Sequence, residues 1–278
     1  MTELILKITC TDAPGLIYKI MGVLFAHGYN VVRNQEFVDA DTEQFFMRTV
    51  VQGQADLSPA LDELERVLPA GHQVGQFKAG PRPVVLLGTR EAHCIGDLLL
   101  RHADGELNAE VRAVVSNHAH LGKLVERFDI PFIHVSHEGL SRIEHERRVV
   151  DVIDTFDPHY LVLAKYMRIL TPYVVSRYSH RILNIHHSFL PAFIGARPYH
   201  QAFERGVKLI GATAHLVTED LDTGPIIAQD VVHVHHGYTA EDMVRAGRDV
   251  EKVVLARALR LVVEERVFVH GNRTIVFD

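Results

Sequence analysis

Between Arg181 and Gln229 the sequence brings an amide, two imidazoles and a carboxylate to the ends of short apolar runs. Ile182-Leu183-Asn184-Ile185-His186 has the make-up of a strand. Side chains alternate across a strand, so Asn184 and His186 fall on one face and can share one small target. Pro191, Gly195 and Pro198 then break the pattern into a long irregular loop. A second strand, Leu209 to Val217, carries His215 and ends in an acidic turn, Glu219-Asp220-Leu221-Asp222-Thr223-Gly224-Pro225. A third, Ile226 to Val232, leaves that turn. An amide donor, an imidazole and a carboxylate at strand ends are the parts needed to polarise a carbonyl and move a proton. Taken singly, Asn184 could satisfy backbone groups and His186 could be a core histidine. Two residues apart and matched by the downstream turn, they point to function. His215 either orients the Asp222 loop or packs within the sheet.

The run NIHHSFLPAFIGARPYHQAFERGVKLIGATAHLVTEDLDTGPII resembles the active-site segment of the tetrahydrofolate-dependent formyltransferase and hydrolase superfamily. There, N-x-H followed by an H…D-x-D-x-G turn carries an Asn-His-Asp triad, which falls here on Asn184, His186 and Asp222 as catalytic residues. Met167-Arg168-Ile169-Leu170 resembles the pterin-binding segment of that superfamily. The resemblance implies that its backbone pairs with the flat heterocycle while Met167 and Leu170 form apolar walls. Read alone, the segment is equally a helix start with Arg168 solvated. His215 is counted with these folate-binding residues.

The remaining composition sets limits. The chain has 278 residues, 47% of them hydrophobic, which suits two globular domains rather than a disordered chain. No apolar run approaches the ~20 residues that span a bilayer, and the N-terminus lacks the basic region and apolar core of a signal peptide. Cys10 and Cys94 fit free thiols in a reducing compartment, so a cytoplasmic location is expected. A net charge of −6 with both signs mixed argues against a nucleic-acid surface. His233, His235 and His236 end a strand without a cysteine or carboxylate pattern, and no metal site is expected.

The N-terminal 80 residues read as βαββαβ. Strands are expected at Leu4 to Cys10, Asn30 to Val38, Phe45 to Gln52 and His72 to Phe77. One helix is expected from Leu16 to His27, and a second holds Leu61, Leu64 and Leu68 with Asp56 or Ser58 as cap. The turn Asp12-Ala13-Pro14-Gly15-Leu16 resembles an ACT domain. That implies either a seat for an amino-acid effector at Asp12 and Gly15 or a ferredoxin-like module used only for assembly, with a homo-oligomer expected in both cases. Ala79-Gly80-Pro81-Arg82-Pro83 reads as a linker.

From 84 to 278 apolar strands alternate with helices. The spacing predicts a mainly parallel α/β domain whose catalytic loops lie at the carboxyl ends of the strands. Helices are expected at His93 to Ala103, Leu121 to Phe128, Glu144 to Phe156 and Thr239 to Arg266, and a hairpin turning at Gly271-Asn272 follows. The resemblance makes this second domain formyltransferase-like.

The order of domains narrows the resemblance to the branch that hydrolyses 10-formyltetrahydrofolate to formate and tetrahydrofolate, which supplies formate and balances one-carbon folate pools for purine biosynthesis. Folate is then the substrate and no cofactor is expected. Transferase relatives that formylate glycinamide ribonucleotide cradle its phosphate in a glycine- and serine-rich loop. Here that place reads Gly88-Thr89-Arg90-Glu91-Ala92-His93-Cys94, and Glu91 would repel a phosphate. The relatives that formylate initiator tRNA carry an extra C-terminal domain, whereas this chain stops soon after its long helix. His187 stands where many transferases have proline, and its role is open. A folate-binding sensor without turnover and a transferase to an unknown small amine are the alternatives.

Overall fold

The computed structural model describes residues 2–192 and 198–278. They form two units. The first runs to Gly80 and adds Glu264–Phe268 and Ile275–Asp278, and the second takes Pro81–Val263 and Val269–Thr274.

The first unit contains β1 (Thr2–Thr11), α1 (Leu16–Ala26), β2 (Asn30–Asp39), β3 (Gln44–Gly53), α2 (Ser58–Val67) and β4 (Gln73–Lys78). The sheet runs β2-β3-β1-β4 and is antiparallel throughout. Alternation along β1 sends Leu4, Leu6, Ile8 and Cys10 onto Leu16, Ile20 and Leu24 of α1 and Leu64 of α2. Gly15 turns the chain into α1 at φ 80, a left-handed conformation that costs a glycine little. Neither Asp56 nor Ser58 caps α2 by its side chain. Asp56 instead accepts from the Ser58 amide at 2.9 Å, closing a local turn before the helix.

On the other face of this sheet, Lys7 and Arg48 face each other across β1 and β3. Arg48 donates to the carbonyls of Glu264 (2.9 Å) and Glu265 (3.1 Å), and Lys7 to that of Val267 (2.7 Å). Phe46, Phe268 and Phe277 close a small core there. The last residues of the chain are therefore structural parts of the first unit.

The second unit holds β5 (Arg82–Gly88), α3 (His93–Ala103), β6 (Ala109–Ser116), α4 (Gly122–Val125), β7 (Phe132–His134), α5 (Arg142–Asp154) and β8 (Tyr160–Leu163). It continues with α6 (Pro172–Arg177), β9 (Ile182–His186), α7 (Pro198–Glu204), β10 (Leu209–Leu216), β11 (Ile226–His233) and α8 (Ala240–Val263). The short hairpin β12 (Val267–His270) and β13 (Arg273–Val276) ends the chain, turning at Gly271-Asn272 as expected. Seven strands order as β11-β10-β9-β8-β5-β6-β7. The pairs from β9 to β7 are parallel, and β10 and β11 add antiparallel strands beside β9. The fold is α/β with a mainly parallel sheet, as expected.

Several boundaries differ from the sequence reading. The strand β5 begins inside the expected linker, at Arg82, where Pro83 near the strand start loses little by lacking an amide hydrogen. The helix expected from Leu121 to Phe128 is one α-turn between two 3-10 turns, Ala119–Leu121 and Glu126–Phe128. Ser141 and Glu144 form a capping box that starts α5 two residues earlier than expected. The irregular loop after Pro191 is cut short by α7, while Gly195 lies outside the described residues. Pro198 opens that helix, a position where its missing donor costs nothing.

Candidate active site

The strand β9 lies between parallel β8 and antiparallel β10, at the point where the sheet changes direction. Asn184 pairs in register with His215, and His186 with Thr213. A register irregularity between Ala214 and His215 locally disturbs the pairing of β10 with β11. Downstream, Asp222 takes φ 56, a left-handed conformation that aspartate tolerates better than most residues. Thr218 and Thr223 both donate to the Asp220 carbonyl, at 3.2 and 3.1 Å, and shape the turn that carries Asp222.

These elements bring the sequence-predicted groups together. His186 Nδ1 lies 3.2 Å from Asp222 Oδ2. His215 Nδ1 donates to the Leu216 carbonyl at 2.9 Å. His215 Nε2 faces both the Asn184 amide nitrogen (3.1 Å) and Asp222 Oδ1 (3.6 Å). Burial pushes the Asp222 carboxyl up, but hydrogen bonds and charge from His186 and His215 outweigh it and hold it well below the usual carboxylate range. Asp222 is therefore a fixed anion behind His186. The opposite ring nitrogen, His186 Nε2, is buried with no hydrogen-bond partner among the described residues.

A cavity of about 490 Å³ opens on this face. Asn184, His186, His215 and Asp222 line it, as do Met167, Arg168, Ile169 and Leu170. The segment from Met167 to Leu170 is a loop and not a helix start, for α6 begins only at Pro172. The Met167 amide donates to Thr89 Oγ1 at 2.9 Å, Arg142 Nε donates to the Ile169 carbonyl at 3.0 Å, and the Thr171 amide donates to Glu146 at 2.9 Å. Met167 and Ile169 present exposed apolar side chains from this pinned backbone. Such a wall suits a flat heterocycle.

Sequence reasoning missed a second polar group. Lys165, buried at φ 62, lines the same cavity and lies 3.3 Å from Glu251 of α8. Glu251 also meets His93 Nε2 (2.8 Å) and accepts from the Tyr199 hydroxyl (2.7 Å). Burial raises the Glu251 carboxyl, yet His93, Lys165 and Tyr199 together bring it down to about 2. His93, Cys94 and Glu251 approach one another closely enough to share a metal ion. A cation there would face the Lys165 ammonium, and burial pushes the Cys94 thiol up, away from its ligating thiolate form. Glu251 left a trace in the sequence: it interrupts the apolar stripe of Met243, Gly247, Val254 and Leu255 on α8. Arg248, on the same helix, pairs with Glu91 at 3.1 Å.

Comparison with known proteins identifies the family. The formyl transferase family pattern matches residues 82–259 and the ACT domain pattern residues 4–69. Formyltetrahydrofolate deformylase from Escherichia coli is 58% identical over 98% of this chain and 97% of its own length. The same-named protein of Haemophilus influenzae is 51% identical over 98% of each. A formyltetrahydrofolate deformylase structure from Pseudomonas syringae superposes with a TM-score of 0.95 at 42% identity, covering 100% of this chain and 95% of that one. Glycinamide ribonucleotide transformylase 1 of Symbiobacterium toebii covers 73% of this chain and 97% of its own, at TM-score 0.69 and 30% identity. An ACT domain followed by a formyl transferase domain, matched along nearly its whole length, places this chain in the formyltetrahydrofolate deformylase family.

Proposed function

We propose that the second unit hydrolyses 10-formyltetrahydrofolate to formate and tetrahydrofolate, with Asn184, His186 and Asp222 as the catalytic residues. The observation that carries this reading is the state of His186: one ring nitrogen is held by the Asp222 anion, and the other is buried and unpartnered at the cavity wall. An orphaned buried nitrogen of this kind costs about 1–3 kcal/mol, a cost relieved when a ligand group arrives. The formyl oxygen is such a group.

The pterin ring lies along Met167 to Leu170. Water adds to the formyl carbon, and the developing oxyanion is held by the Asn184 amide and by His186 Nε2–H. Asp222 fixes the His186 ring and stabilises its cation, and it relays a proton toward the departing amide nitrogen. His215 supports both Asn184 and Asp222 from behind. These residues need no resident cofactor or metal for the reaction.

Water is the acceptor because the place of a phosphate cradle, Thr89 to Cys94, carries the Glu91 carboxylate, which is paired with Arg248 and His93. Two buried free thiols, Cys10 and Cys94, suit a cytoplasmic enzyme. In the first unit α1 follows Gly15 with no side-chain cap, leaving amide donors near Asp12 for the carboxylate of an amino-acid effector. The β2 edge exposes Val32, Phe37 and Val38, which suits pairing with a second copy in a homo-oligomer. This first unit, residues 1–80 with the chain's last segment, is regulatory, and the residues from 84 onward carry the chemistry. Formate release would serve one-carbon balance and purine synthesis.

Turnover in water enriched in heavy oxygen tests the reading. Hydrolysis places one labelled oxygen in each formate, while unlabelled formate or no formate contradicts it.

A further inference from the structure

His187 follows the triad histidine and lines the same cavity as Asn184, His186 and Asp222. Its ring packs between two others, with centroids 5.1 Å from His186 and 6.3 Å from Tyr199. Neither of its ring nitrogens hydrogen-bonds any described residue, although those of His186, His215 and His93 are bound on at least one side. The groups around it are charged and fixed. Lys165 lines the cavity wall with it, Glu251 holds Lys165 and the Tyr199 hydroxyl from α8, and Asp222 approaches from the turn after β10.

An imidazole in that position rests neutral. Burial first, then the charges of Lys165 and His186, bring its pKa down to about 4, against the opposing pull of Glu251 and Asp222. Near neutral pH it presents a bare nitrogen lone pair to the cavity. His186 differs in having one nitrogen committed to Asp222, so the two adjacent rings are suited to opposite tasks.

We propose that His187 is a further catalytic residue, the group that orients the attacking water and takes its proton. This rests on the hydrolytic reading of the site given above. As the water oxygen bonds to the formyl carbon, one water proton passes to the His187 nitrogen and the carbonyl electron pair moves onto the formyl oxygen. The new oxyanion beside the ring stabilises the imidazolium that forms. When the carbon–nitrogen bond breaks, that same proton returns across the cavity, relayed by Asp222, to the amide nitrogen of tetrahydrofolate. The hydroxyl proton of the formic acid product is released to solvent, leaving formate. Lys165 and Glu251 are positioning residues: the Lys165 charge keeps the resting ring neutral, and Glu251 holds both Lys165 and the Tyr199 hydroxyl in place beside it.

The test compares parent enzyme, His187→Gln and His187→Ala in steady-state release of formate from 10-formyltetrahydrofolate, with and without added imidazole. Loss of a general base is expected to lower kcat by ~10²–10³ in both variants. The expected KM change is under about threefold. Added imidazole should restore part of the rate in the alanine variant, where the ring has been deleted. Turnover within about fivefold of the parent in either variant overturns the proposal. So does a loss that imidazole leaves untouched or that is carried by KM, since that assigns His187 to packing. A parent enzyme that releases no formate removes the hydrolytic reading itself, whereas an active parent matched by both variants removes only the role of His187.

Discussion

Gly224 lies against the main chain of Leu216 so closely that a Cβ at that position would enter the van der Waals shell of the Leu216 carbonyl oxygen. The Leu216 amide donates to the Pro225 carbonyl at 2.9 Å in the same close approach. The obstacle is backbone and cannot swing aside. Because Gly224 closes the turn that aims Asp222, Gly224→Ala is expected to displace the carboxylate by a fraction of an ångström or more. Turnover should fall at least ~10²-fold, with a smaller loss in thermal stability. Kinetics and melting measured together check this, and near-normal turnover would show that the turn tolerates the shift.

His186→Ala and Asp222→Asn are expected to nearly abolish turnover while folate affinity stays within about tenfold, since the proposed mechanism has both residues act on developing charge and not on the pterin. Asn184→Ala should lose ~10²–10³ in rate, the usual effect of deleting one oxyanion donor. Rates and binding titrations on the three variants measure this. A drop below about fivefold for Asn184→Ala would reduce that residue to support of the His215 ring.

Glu251 gives a pH prediction with a definite sign. Its carboxyl is lowered in the folded chain to about 2 from 4.5, so the stability it contributes is full above pH 4.5 and is lost as pH falls toward about 2. Glu251→Gln leaves the buried Lys165 ammonium without its anion and should cost about 3–5 kcal/mol near neutral pH. It should also flatten the acid limb of the stability curve. Denaturant unfolding of parent and variant at pH 7 and pH 4 decides between this and a marginal contribution.

The first unit is expected to bind a small amino acid near Asp12 and Gly15. The full chain is the right material, because Arg48 donates to carbonyls of Glu264 and Glu265 and residues 1–80 alone would lose those acceptors. Calorimetry with the common amino acids should show one responsive ligand, and Gly15→Ala, strained by about 1–2 kcal/mol at φ 80, should weaken it. Silence across the panel together with monomeric elution would leave a passive domain.

How far the sequence revealed the site depended on the distance over which each signal acts. Asn184 and His186 were legible because a period of two is local to five residues, and Asp222 because acidic and glycine residues mark a turn. The βαββαβ unit was legible for the same reason. Glu251, Lys165 and Tyr199 were not, because their meaning lies in contacts between α8, the loop after β8 and α7, far apart in the chain. A carboxylate on the apolar stripe of α8 was the one local clue. Tyr199 reaches Glu251 only because Gly247 leaves room, for a Cβ there would enter the tyrosine ring. The use of the C-terminal residues by the first sheet was equally hidden, since neither Arg48 nor Glu265 carries a pattern that names the other.

The most direct test follows products from 10-formyltetrahydrofolate in amine-free buffer, then with glycinamide ribonucleotide added. Water as the acceptor predicts equal amounts of formate and tetrahydrofolate in both reactions, at rates that the added amine leaves unchanged. Formate or tetrahydrofolate that appears only with the amine, or a formylated amine as the main product, would contradict it.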